Sequence, residues 1–100
     1  MIVGDETGLP HCCGLIAAAA YWYCHARGVP ARVLNIRYGK NDGHAVLVFQ
    51  SSGNRLCIYD DDGSLVFTPD TTWETPPLKL ARAYAKANNI KKRVVAGRWI

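Results

Sequence analysis

The chain contains one long apolar stretch followed by several short segments that have the pattern of β-strands. Residues 14–27 are rich in alanine and aromatic residues, and the stretch ends at Gly28 and Pro30, which predicts a helix. Since this helix is apolar on nearly all sides, we expect it to be a buried central helix. The aromatic run Tyr21–Tyr23 is then expected to pack against a sheet.

Four segments after the helix have the pattern of β-strands joined by tight turns. Ala31–Tyr38 alternates with a period of two residues, and His44–Gln50 is apolar enough to be buried on both faces. Arg55–Tyr59 follows a Ser-Ser-Gly-Asn turn, and Leu65–Phe67 is expected to form a short fourth strand. Together these segments predict an antiparallel sheet.

A second helix and a last strand complete the predicted fold. Residues 77–89 begin with a proline at a plausible first turn, carry one basic face and end in two asparagines. Residues 90–100 have the pattern of a final strand, and residues 1–11 that of a lead-in loop. The order predicts an α+β fold with a single domain over residues 1–100, its N-terminal helix packed on the sheet.

Composition is consistent with one folded domain, since 49% of the 100 residues are hydrophobic. The first residues lack the basic start and apolar run of a signal peptide, and the apolar run Leu15–Cys24 is too short to span a bilayer. We therefore expect a cytoplasmic protein without membrane association, whose four cysteines are reduced.

The net charge of +4 is unevenly distributed along the chain. Residues 77–100 carry seven of the twelve lysines and arginines and no acidic residue. Such a segment could contact an acidic protein or nucleic acid, but it is more often one solvated helix face and a basic strand. We therefore do not expect nucleic acid as the main partner.

Cys13 is the first candidate for chemistry, because it stands directly before the apolar helix. Free backbone N–H groups and the helix dipole stabilise a thiolate at that position, and one such N–H could stabilise an oxyanion. We interpret Cys13 as a nucleophile and the adjacent Cys12 as a structural residue or a redox modulator. Cys24, eleven residues further on, is expected to be a buried structural residue on a close-packed helix face.

A thiol nucleophile needs a base, and the chain offers three histidines. His25 lies about 18 Å from Cys13 along the helix, which excludes it, and the lead-in loop gives His11 no fixed orientation. His44 opens a strand directly after a Gly-rich turn, where a rigid strand end can hold an imidazole. His44 is therefore the predicted base.

The base in turn needs an acidic residue to orient it, and the cluster Asp60–Asp62 follows the third predicted strand. If Gln50 pairs with Arg55, His44 lies opposite Asp61 and within one residue of Asp60. The hairpin count alone therefore favours Asp61 and keeps Asp60 within reach.

Three segments in this order resemble the transglutaminase-like superfamily, which is related to the papain-like cysteine peptidases. They are Arg-Gly-Val-Pro-Ala-Arg-Val at 27–33, Gly-His-Ala-Val-Leu-Val at 43–48 and Leu-Cys-Ile-Tyr-Asp at 56–60. Counted from Cys13, an alanine follows four residues on and the first glycine of the 27–33 segment fifteen residues on, as in the family. The resemblance implies a papain-like fold with the catalytic residues Cys13, His44 and Asp60.

By the same resemblance, the protein is expected to be a thiol peptidase or amidase that acts on peptide or isopeptide amides through an acyl-enzyme. A transglutaminase reaction would differ in that an amine replaces water. The expected partner is a protein or peptide substrate, and no cofactor or metal is implied.

The chain departs from the family pattern at Gly14, Val46 and Leu56. A degenerate domain that binds protein or nucleic acid through its basic segment, Lys79 to Arg98, is the alternative.

Two further points concern the second oxyanion donor and a metal site. A second oxyanion donor could come from any of four residues, Thr7, His11, Tyr38 or Trp73. A zinc site is disfavoured because adjacent cysteines chelate poorly, and Asp60–Asp62 lacks the spaced ligands of a calcium loop.

Overall fold

The computed structural model describes residues 3–4, 10–11, 13–68 and 70–100, and residues 3, 4, 10, 11, 13 and 54 by their backbone alone. Two helices are present in these ranges, α1 over Cys13–Ala26 and α2 over Pro77–Ala87. Both begin and end close to the predicted positions. Gly28, with φ of +69°, follows α1 at the position where a left-handed residue commonly ends a helix.

Seven strands accompany the two helices within the described ranges. Within the predicted lead-in, β1 (Val3–Gly4) pairs with β2 (Pro10–His11). The other five form one antiparallel sheet in the order β6-β5-β4-β3-β7. Their bounds are Ala31–Gly39 for β3, Asp42–Gln50 for β4, Leu56–Tyr59 for β5, Leu65–Thr68 for β6 and Ala96–Trp99 for β7. The α+β prediction is confirmed.

One face of the sheet carries the main hydrophobic core and is covered by α2. Leu34, Val48 and Ile58 are fully buried there, and Leu80 of α2 packs against them. The amphipathic pattern of α2 places its apolar side toward the sheet and its basic side in solvent. Gly97 in β7 allows the start of α2 to approach closely, since a Cβ there would stand 2.6 Å from the Pro77 carbonyl oxygen.

The opposite face of the sheet is covered by α1, which contacts β4 and β3. The expected burial of this helix on all sides is wrong. Ala17 is buried against the sheet, but Leu15, Trp22 and Tyr23 are 43%, 63% and 60% exposed. Because α1 lies on the outside of the sheet, only one side of it meets other described residues. The predicted packing of the Tyr21–Tyr23 run against the sheet therefore fails for its last two residues.

The hairpin between β4 and β5 is displaced by one residue from the expected pairing. Gln50 pairs with Leu56 rather than with Arg55, and Phe49 pairs with Cys57. The turn includes a short 3-10 segment, Ser52–Asn54, in which Gly53 has φ of +76°. The connection between the last paired residues is therefore one residue longer than expected. This shift changes which acidic residue shares a face with His44.

Across the part of the chain that the structure describes, neither helix is long and apolar enough to cross a membrane.

Candidate active site

His44 and Asp60 form a direct hydrogen-bonded pair at one end of the sheet. The Nε2 atom of His44 lies 2.7 Å from Oδ1 of Asp60. Both side chains are largely buried, with 18% of the histidine and 7% of the aspartate exposed. The structure thus brings together two of the predicted catalytic residues, one in β4 and the other in the turn after β5.

The strand register explains why Asp60 is the partner of His44. Residues that face each other across the β4–β5 ladder share a face of the sheet. The ladder ends at the pair Leu47–Tyr59, and extending its register by one residue places Asp60 opposite Val46. His44 lies two residues before Val46 and therefore on the same face, diagonal to Asp60. The hairpin expectation that favoured Asp61 is wrong, because it rested on a register shifted by one residue.

A tight turn after β5 fixes the Asp60 carboxylate. The backbone N–H of Asp60 donates to the Ser64 carbonyl, and the N–H of Gly63 donates to the Asp60 carbonyl. Gly63 has φ of +85°, a conformation that glycine adopts without strain. The N–H of Asp61 donates to Oδ1 of Asp60 at 2.8 Å, so this oxygen accepts two hydrogen bonds.

Tyr84 of α2 completes this cluster and was not anticipated from the sequence. Its hydroxyl donates to Oδ2 of Asp60 at 2.5 Å, and its ring stacks near the imidazole of His44 with centroids 5.8 Å apart. The sequence did place Tyr84 on the apolar side of α2. Since a buried tyrosine hydroxyl usually finds a polar partner, that position was the available signal.

These contacts hold Asp60 in its charged form. Burial acts to raise the pKa of Asp60, but the hydrogen bonds from Tyr84, His44 and the N–H of Asp61 outweigh it, so the pKa lies below its ordinary value. Burial and the adjacent Asp60 carboxylate raise the pKa of Tyr84, which therefore stays a hydroxyl donor. The result is a fixed negative charge beside the imidazole.

The same bond selects the tautomer of His44. An ionised carboxylate can only accept hydrogen bonds, so the Nε2 that faces it carries the proton in the neutral imidazole. Nδ1 is then the basic nitrogen. This arrangement suits a general base whose second nitrogen is oriented by an acid.

Cys13, the third predicted catalytic residue, is the first residue of α1, and its side chain lies outside the described part of the chain. The connection after α1 leads into β3, whose first residue, Ala31, pairs with Phe49 near the end of β4. The C-terminal end of α1 is therefore remote from His44. The 14-residue helix is about 20 Å long and contacts β4 and β3.

His44 and α1 nevertheless belong to opposite faces of the sheet. His44 and Asp60 face α2, whereas residues of α1 line a cleft with Leu47, Phe49 and Tyr59 on the other face.

The two cysteines whose side chains are described do not have the environment of a nucleophile. Burial raises the pKa of the Cys57 thiol, which is fully buried in β5. Burial also raises the pKa of Cys24, and the nearby Arg27 charge opposes this only in part. Cys24 is half-buried and lines the cleft between α1 and the sheet, so the prediction of a close-packed buried residue is wrong. Cys12 lies outside the described residues.

Of the four candidates for a second oxyanion donor, the structure describes the side chains of Trp73 and Tyr38. The Trp73 indole donates to Oε1 of Gln50 at 3.0 Å, at the end of β4 remote from His44, which excludes it. The Tyr38 hydroxyl is buried and makes no hydrogen bond among the described residues. Burial raises the pKa of Tyr38, and the Asp42 and Asp60 carboxylates raise it further, so the hydroxyl keeps its proton. Thr7 and the side chain of His11 lie outside the described part.

A metal ion is the other chemistry that this cluster could support. One potential ligand atom from each of His44, Asp60 and Asp61 lies within 4.8 Å of the others. However, the 2.7 Å between Nε2 and Oδ1 is a hydrogen-bond distance, whereas the ligand atoms of a tetrahedral zinc site are about 3.3 Å apart. Binding of a tetrahedral metal ion would therefore have to break this hydrogen bond.

Comparisons of the chain with protein-family models, curated proteins and solved structures found no match.

Proposed function

We propose that this protein is a cysteine-dependent acyl-transfer enzyme of the transglutaminase-like class, with the papain-like fold. It acts as a thiol peptidase or amidase on peptide or isopeptide amides. The observation that carries the proposal is the buried hydrogen bond from His44 to an ionised Asp60. The sequence resemblance implies the same two residues as the base and its orienter.

In the proposed reaction, Nδ1 of His44 accepts the proton of the Cys13 thiol, and the thiolate attacks the carbonyl carbon of the amide. Asp60 stabilises the imidazolium that forms without itself becoming protonated. The imidazolium then donates its proton to the leaving amine as the C–N bond breaks, which leaves a thioester on Cys13. Water, activated by the same imidazole, releases the acid and restores the thiol. With an amine in place of water, the product is a new amide.

The Tyr38 hydroxyl is the described side chain that best suits the second oxyanion donor. It is a buried hydroxyl donor without a described acceptor, and its ring packs against the core on the face of the sheet that carries His44. A backbone N–H at the start of α1 would supply the first donor.

The test is acylation of the protein by a simple activated ester, p-nitrophenyl acetate, followed by mass spectrometry of the peptides. We expect one acetyl group on Cys13, formed in a burst and lost on standing. His44→Ala should remove the burst, whereas Cys24→Ser should retain it as the matched control. Acetylation spread over several cysteines, or none on Cys13, would refute the proposal.

A further inference from the structure

A second polar site lies on the α1 face of the sheet, beside the β3–β4 turn. It is a pocket of about 460 Å³ whose walls come from β3, β7 and the turn. Arg37, Lys40 and Arg98 line it together with the amide of Asn35. No carboxylate is among the described residues that line this pocket, which we call the basic pocket.

Arg37 is held in place by the backbone around it. Its Nη2 donates to the carbonyl oxygens of Gly39 and Lys40, at 3.1 and 2.5 Å. Its side chain crosses Gly43, the residue opposite it in β4, where a Cβ would stand 2.6 Å from Nη1. These hydrogen bonds hold the guanidinium in position before any ligand binds. A guanidinium carries three further N–H donors besides the two of Nη2.

Arg98 joins Arg37 through the pairing of β3 with β7. Asn35 pairs with Arg98 and Arg37 with Ala96, so the two arginines are diagonal neighbours on one face, with Cβ atoms typically about 7–8 Å apart. Asp42, an acidic residue at the start of β4, is engaged by Lys92 at 2.6 Å. The like charges in the basic pocket thus repel one another, and an anion would relieve that repulsion.

We propose that the basic pocket binds the dianionic phosphoryl group of a small phosphomonoester. Three cations and one amide donor match two negative charges and several acceptor oxygens better than a single carboxylate does. All three cations line this one pocket, which suits a terminal phosphate better than an extended polynucleotide backbone. This site is separate from the proposed function, since it uses neither the thiol nor the His44–Asp60 pair.

The experiment is calorimetric titration of the full chain with inorganic phosphate and with phenyl phosphate, at constant ionic strength and neutral pH. We expect one site for each anion. Arg98→Gln and Lys40→Gln should each weaken binding roughly tenfold, because each removes a charge-assisted contact. Arg82→Gln, an exposed residue of α2 on the other side of the sheet, removes the same charge and should change the affinity less than twofold. Urea unfolding of each variant reports whether it is folded.

Several outcomes would overturn this proposal. One is the absence of saturable phosphate binding, and another is an equal loss in Arg98→Gln and Arg82→Gln, which would indicate a general effect of net charge. A third is binding of a single-stranded oligonucleotide that phosphate does not displace, since the pocket would then serve a phosphodiester backbone. None of these results depends on Cys13, so the proposed function would stand or fall separately.

Discussion

Asp60 accepts a hydrogen bond from Nε2 of His44 across 2.7 Å although the two residues are diagonal and not opposite each other in the sheet. The tight turn after β5 and the Tyr84 hydroxyl hold the carboxylate in that position. The proposed catalysis depends on this pair, because a fixed carboxylate orients the imidazole of His44 and selects its tautomer.

The two adjacent aspartates should differ sharply in their effect on the reactivity of Cys13. Asp60→Asn removes the charge that stabilises the imidazolium, so alkylation of Cys13 near pH 6.5 should slow about tenfold or more. Asp61→Asn removes an equal charge from an exposed carboxylate and should slow the reaction less than twofold. The measurement is the second-order rate constant with iodoacetamide. A larger effect at Asp61 would assign the orienting role to that residue instead.

Tyr84→Phe should destabilise the protein without creating a large cavity. The substitution leaves Oδ2 of the buried Asp60 without its donor, which should lower the free energy of unfolding by about 1–3 kcal/mol at pH 7. Tyr23→Phe, at an exposed position on α1, is the matched control and should change it by less than about 0.5 kcal/mol. Urea denaturation measures both. Equal stability of Tyr84→Phe and the natural protein would mean that this bond contributes nothing net.

Acid should selectively remove the stabilisation that Asp60 provides. Because the pKa of Asp60 is lowered by folding, its contribution is present above the unfolded-state pKa of about 3.9 and is lost as the pH falls through the lower folded-state value. The difference in stability between the natural protein and Asp60→Asn should therefore shrink from pH 6 to pH 3. Urea midpoints across that range provide the test, and a difference that grows toward low pH would reverse the sign of the argument.

The contact between β7 and the start of α2 should tolerate no side chain at Gly97. Because a Cβ would meet the Pro77 carbonyl at 2.6 Å, Gly97→Ala should lower the free energy of unfolding by about 1–3 kcal/mol. A Cβ at Gly39 meets no atom within 4 Å, so Gly39→Ala should lie within about 0.5 kcal/mol of the natural protein. Thermal or urea unfolding compares the two. If Gly97→Ala is the milder change, α2 packs less closely than described.

The order of helices and strands was predictable because each element carries its own local pattern. The alternation in β3 and the proline and asparagine limits of α2 are determined by neighbouring residues in the chain. The one-residue shift of the β4–β5 ladder was not predictable, because loop length leaves the register open until both faces of the strands are packed.

Burial and the third member of the site depend on contacts between distant residues. The apolar composition of α1 indicated burial, yet Trp22 and Tyr23 are exposed because α2 and α1 cover opposite faces of one sheet. The link between Tyr84 and Asp60 joins residues 24 apart in the chain, and no local pattern specifies it. His44 and Asp60 were predicted because a family resemblance supplied the non-local pairing.

The most direct test of the central claim is the pH dependence of iodoacetamide labelling, mapped by mass spectrometry to each of the four cysteines. We expect Cys13 to label fastest well below pH 8 and His44→Ala to slow it, while the raised pKa values of the Cys24 and Cys57 thiols keep these two slow. A Cys13 that reacts no faster than a free thiol, with its pKa of about 8.5, and that is indifferent to His44→Ala would contradict the thiolate–imidazole pair.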